Sequence, residues 1–84
     1  MTTPLDWRPI RYLTVDHIGA IIEIRIPVRD GYETIRTPFV VETIEVPTEY
    51  TSGGHPRFER VRLNDHLDTA ITAYDGDEYR EHKN

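Results

Sequence analysis

Residues 18–28 read Ile18-Gly19-Ala20-Ile21-Ile22-Glu23-Ile24-Arg25-Ile26-Pro27-Val28. Every even position is apolar, and the odd positions are Gly, Glu, Arg and Pro with Ile21 as the one exception. Alternation with a period of two places one set of side chains in a core and the other in water, so this is a half-buried strand. The register predicts that Ile22→Asp unfolds the chain and that Glu23→Lys is tolerated. Asp30-Gly31 follows between two β-prone runs and reads as a hairpin turn.

Working outward, Tyr32–Tyr50 is again rich in β-branched and aromatic residues. Ile35, Phe39 and Val41 share one parity, whereas Ile44 and Val46 share the other. One extra residue near Glu42 brings all five to one face, which predicts a β-bulge and a sharp bend. Small barrels need such bends to close. Thr51–Pro56 is loop by composition. Arg57–Leu63 reads as a short strand with Val61 and Leu63 inward.

Asn64–Tyr74 reads two ways. Leu67, Ala70, Ile71 and Tyr74 fit a helical stripe, and Leu67, Thr69, Ile71 and Ala73 fit strand alternation. The β-propensity of Thr69, Ile71, Thr72 and Tyr74 favours strand, with room for a short helical turn over Asn64–Leu67. Residues 1–12 show no periodicity and read as an irregular arm whose Trp7 docks as a hydrophobic lid, or stands exposed for recognition. Residues 78–84 are charged and read as a tail, frayed or forming a short edge strand.

At 84 residues the chain makes one domain,. Its divisions are an arm (1–12), a small β domain (13–77) and the tail (78–84). There are no cysteines, which excludes disulfide staples and thiolate metal sites,. The absence of an apolar leader or a span-length run makes a soluble, cytoplasmic protein the expectation.

The net charge of −5 falls wholly in residues 41–84, because residues 1–40 balance five acids against five arginines. That sign disfavours a generic nucleic-acid binder. An acidic surface serves solubility first, and basic partners second.

No nucleophile elbow, P-loop, dinucleotide fingerprint or metal-binding histidine pair occurs. The expectation is a non-enzyme without catalytic residues, metal or cofactor. Asp65-His66-Leu67-Asp68 groups two carboxylates with an imidazole, but it reads first as a polar loop with a capping residue. His17 reads as a packed histidine at a strand start.

The most suggestive surface feature is the stripe Phe58, Arg60 and Arg62, which Tyr50 and His55 border. Arg25 and Arg29 would join it if their strands were neighbours. An aromatic flanked by arginines suits a protein interface or a single nucleic-acid strand. It is also what a solvated strand face looks like when arginine stems cover a phenylalanine.

Thr14-Val15-Asp16-His17-Ile18-Gly19-Ala20-Ile21-Ile22-Glu23-Ile24 resembles the opening of small SH3-like barrel proteins encoded by bacteriophages of actinobacteria. Val61-Arg62-Leu63, and Ile71–Tyr74 followed by Asp75-Gly76-Asp77, resemble their later strands and closing turn. The likeness spans residues 13–80. It departs in the proline-bracketed segment between Pro38 and Pro47 and in the Trp-bearing arm.

The resemblance implies a phage accessory role in a bacterial host cell and brings no catalytic residues. The fold expected is all-β, a small five-stranded SH3-like barrel with an irregular N-terminal arm. Its core would be Ile18, Ala20, Ile22, Ile24, Ile26, Phe39, Val41, Ile44, Val61, Leu63 and Ile71. The function expected is a non-enzymatic protein-binding module engaging a host or phage protein. The alternatives are a single-stranded nucleic-acid module, and a small-ligand or nucleotide-binding protein with its site at an oligomer interface. No membrane partner is expected, and a homo-oligomer is left open.

Overall fold

The strand quoted above forms as Ile21–Val28 (β3) and pairs antiparallel with the fifteen-residue Gly31–Glu45 (β4). The computed structural model describes residues 3–47 and 49–83; the side chains of Ile35, Arg36 and Glu49, and with them the face expected for Ile35, lie outside the described residues. Around that pair the strands are Thr3–Pro4 (β1), Arg8–Pro9 (β2), Arg60–Asp65 (β7), Ala70–Tyr74 (β8) and Glu78–Lys83 (β9). The main sheet runs β1-β9-β3-β4-β7-β8, and β2 also pairs with β9. Glu49–Tyr50 (β5) and Pro56–Arg57 (β6) form a separate two-stranded hairpin. Among the described residues no helix is long and apolar enough to cross a membrane.

The protein is therefore all-β and antiparallel, but the sheet is not closed into a barrel, because β1 and β8 end the strand order and do not pair with each other. One long strand serves both halves: β4 pairs with β3 through its first part and with β7 through its last. The bulge expected near Glu42 is present, since the register steps from Val41↔Asp65 to Thr43↔Asn64. Two further register shifts lie between Ile22↔Phe39 and Arg25↔Thr34. They explain how Pro38 sits inside a strand, because a residue without an N–H is tolerated where the ladder is already irregular.

The core contains Ile22, Ile24, Phe39, Val41, Val61, Leu63 and Ile71 as expected, with Ala20 and Ile44 packed against it. Two expected members do not belong. Ile18 is 49% exposed. It follows a 3₁₀ turn at Val15–His17 and precedes Gly19 at φ +91°, so the strand alternation has not begun there. Ile26 is only half-buried, because β9 pairs with β3 no further than Arg25 and the ribbon beyond has no layer to cover it.

The N-terminal arm and the first residue after it supply core that the alternation missed. Ile10 and Leu13 are fully buried, and the Ile10 N–H donates to the Asp77 carbonyl at 2.9 Å, at the turn joining β8 to β9.

Of the two readings of the charged tail, frayed or a short edge strand, Glu78–Lys83 is a strand but not an edge. It is an interior strand, with β3 on one side and β1 and β2 on the other. Glu23 faces Arg80 and Arg25 faces Glu78 across the pair, while Ile24 faces the buried Tyr79. Opposite charges on one face, with Ile24 against Tyr79 on the other, set the register,. Asn64–Tyr74 resolves as strand, turn and strand: β7 runs on to Asp65, β8 starts at Ala70, and no helical turn forms over Asn64–Leu67.

Candidate interaction surface

The expected stripe is distributed over three settings. Tyr50 and His55 are exposed on the separate β5–β6 hairpin, where the His55 N–H donates to Thr51 Oγ1 at 3.3 Å. Phe58 lies in the irregular step between β6 and β7 and packs against the core. Arg60 and Arg62 share the outer face of β7, opposite Tyr74 and Thr72 of β8, and Arg62 lies 3.6 Å from Glu45. The pattern failed because residues 58 and 59 are not strand, so Phe58 does not continue the parity of Arg60 and Arg62. Arg25 does not join them either, since β4 separates β3 from β7.

Arg25 belongs instead to a stack on the outer face of β3 and β9. Its guanidinium carbon sits 3.7 Å from the Tyr32 ring centroid and 4.2 Å from that of Trp7, and Arg80 lies 4.5 Å from the Trp7 centroid. Trp7 thus packs on two guanidinium groups, where cation–π attraction holds the arm to the sheet,. Arg25 Nε and Nη2 both donate to Glu78 Oε1, at 2.9 and 2.6 Å.

Beside the stack, Arg80 Nε at 2.5 Å and His82 Nε2 at 3.1 Å both meet Glu23 Oε1. Burial by itself raises the Glu23 carboxyl, but the Arg80 and His82 hydrogen bonds and charges outweigh it and hold the group below its ordinary value. A carboxylate with a depressed folded value contributes stability that is present above the unfolded range and lost as pH falls through the folded value. Urea melts from about pH 5 to pH 3 are expected to show a steeper loss for the wild type than for Glu23→Gln. Equal slopes would remove Glu23 from the acid response.

Exposed apolar side chains, Ile18 among them, stand on the two loops that flank β4. Gly19 N–H donates to the Val41 carbonyl at 2.7 Å on one side of β4, and His66 N–H donates to the Val40 carbonyl at 3.1 Å on the other. The two loops that flank β4 here carry Val15 and Ile18, and Leu67, of which Val15 is 64% exposed and Leu67 69%.

Both loops are pinned. Asp65, fully buried, accepts the N–H groups of Leu67 and Thr69 on Oδ1 at 2.9 and 2.8 Å, and Asp68 takes φ +61°. The Asp65–Asp68 group is thus a clasp that holds Leu67 outward. His17 Nδ1 accepts the Thr14 N–H at 3.1 Å, and its Nε2 lies 3.3 Å from the Tyr79 hydroxyl with the two rings edge to face. A proton on Nε2 then serves as the donor to Tyr79. Burial pushes the Tyr79 hydroxyl above its ordinary value.

The hydrogen bonds that fix these loops keep Val15, Ile18 and Leu67 exposed. Asp16, Glu42 and Asp68, all exposed, stand next to these residues in sequence or on β4. Comparison with known proteins finds no matching family model, no matching curated protein and no matching solved structure.

Proposed function

We propose that the chain is a non-enzymatic protein-binding module with an opened SH3-like architecture, acting as a phage accessory protein on a host or phage partner. The observation that carries this reading is the exposure of Val15, Ile18 and Leu67 on two loops fixed by internal hydrogen bonds. Three large apolar side chains held in water cost the protein solubility, and a partner surface recovers that cost.

The SH3-like part of the reading is supported by the order β9-β3-β4-β7-β8 and by the bulged β4 shared between two half-sheets. The phage role is supported by the likeness of Thr14–Ile24 to the opening of phage-encoded barrels.

The test is quantitative binding of a captured partner to wild type and to the Val15→Asp/Ile18→Asp double variant. Both side chains are exposed, so the double variant is expected to melt like wild type and to bind at least tenfold more weakly, the loss of about 1.4 kcal/mol or more. Unchanged affinity, or no saturable partner for the wild type, would overturn the reading.

A further inference from the structure

The two ends of the main sheet are finished differently. At one end β1 is two residues long and closes on Pro4, and β2 closes on Pro9. Proline and brevity blunt an edge against further pairing. At the other end β8 is Ala70-Ile71-Thr72-Ala73-Tyr74, five residues without charge, proline, glycine or register shift. None of the usual protections of an edge strand is present there.

The hydrogen-bonding groups of β8 can be assigned one by one. Asp75 N–H donates to the Glu59 carbonyl at 2.8 Å, and Asp65 N–H to the Thr69 carbonyl at 3.1 Å. The register between these bonds is unbroken. Antiparallel ladders alternate, so Ile71 and Ala73 bond to β7, while Ala70, Thr72 and Tyr74 direct their N–H and C=O groups away from it. Asp77 takes both groups of Tyr74: the Tyr74 N–H donates to Asp77 Oδ2 at 2.8 Å, and the Asp77 N–H donates to the Tyr74 carbonyl at 3.0 Å. Among the described residues, what remains on the free edge is one donor and one acceptor on each of Ala70 and Thr72.

We propose that this edge is completed by a second copy of the chain, giving a two-fold symmetric dimer in which β8 pairs antiparallel with β8. The self-complementarity of the edge selects that occupant. With Ala70 of one copy opposite Thr72 of the other, all four backbone groups of each copy are used once, in four hydrogen bonds. Ile71 then meets Ile71 across the axis, Asp68 falls opposite Tyr74, and Asp75 falls opposite Leu67. No like charges oppose each other over residues 67–75, which matters in a chain of net charge −5,. The contact is isologous and closes on itself, and the proline-ended edge opposite does not extend it. This dimer takes Leu67, one of the three exposed apolar residues of the proposed partner surface, into its edge and leaves Val15 and Ile18 outside it.

The test is sedimentation equilibrium of the full chain over a wide concentration range, with Thr72→Pro and Ala70→Pro. Wild type is expected at twice the 9.8 kDa chain mass. Both variants are expected at the single-chain mass with unchanged far-ultraviolet circular dichroism, because the lost N–H groups do not bond to β7 and proline is tolerated on an edge. Ala70→Pro, at the first residue of the strand, serves where Thr72→Pro does not fold. Hydrogen exchange supplies a second reading: the Thr72 amide is expected to slow as the concentration rises. A wild type that stays monomeric at its solubility limit would overturn the proposal. So would a dimer that survives in a folded proline variant, or open-ended oligomers in place of a dimer.

Discussion

Ile22→Asp is expected to leave the chain unfolded in water. Ile22 is fully buried on the inner face of β3, opposite Phe39 on one side and Glu81 on the other. The substitution removes about 1.5–3 kcal/mol of apolar burial. It also strands a carboxylate in the core, at a further cost of several kcal/mol unless the group takes up a proton. A domain of this size holds on the order of 5 kcal/mol in total. The loss therefore exceeds the reserve. Far-ultraviolet circular dichroism and the dispersion of amide NMR signals check it, and a folded Ile22→Asp variant would contradict the inward register of β3.

Glu23→Lys is expected to destabilise the fold by about 3 kcal/mol or more, against the tolerance that simple alternation predicts for an outward-facing residue. Glu23 is 8% exposed, although it lies on the outer face. It is covered because β9 pairs beside it and Trp7 lies across Arg25 and Arg80. A lysine there would place a cation against Arg80 and His82, which both meet the Glu23 carboxylate in the wild type. Repulsion is then added to the loss of two charge-assisted hydrogen bonds. Urea denaturation read by Trp7 fluorescence measures the change. Glu23→Gln, which keeps one acceptor, is expected to fall between the two. A Glu23→Lys variant as stable as wild type would mean that the carboxylate contributes nothing net.

These two neighbouring positions show where alternation is a sufficient guide and where it stops. Period two tells which way a side chain points, and for Ile22 pointing inward settles burial. For Glu23 pointing outward does not, because exposure depends on what else crosses that face. The covering strand was written in the chain as Glu78-Tyr79-Arg80, the charge complement of Glu23-Ile24-Arg25 when read antiparallel. Composition alone made it a tail, frayed or a short edge strand. Comparing the charge order of the two segments would have paired them.

The candidate surface was less legible. Ile18 carries the right parity for the core, and only the 3₁₀ turn before it and the glycine after it put the residue in water. Phe58 carries the parity of Arg60 and Arg62, and an irregular step turns it inward. In both cases a local break in the strand, invisible to periodicity, reversed the assignment. Leu67 is exposed for a different reason, since its loop is folded around the buried carboxylate of Asp65.

What the sequence determined by itself is the all-β class, the inward face of β3 at Ile22 and Ile24, and the bend at Glu42. All three follow from side-chain order along a single strand, which is local information. Only the tertiary structure decided that the sheet stays open, that Glu78–Lys83 lies inside it, that Ile10 and Leu13 complete the core, and that β8 is left with an unguarded edge. Those outcomes depend on which segments become neighbours. Neighbours in a sheet are chosen by complementarity between distant stretches of chain, which no single stretch contains.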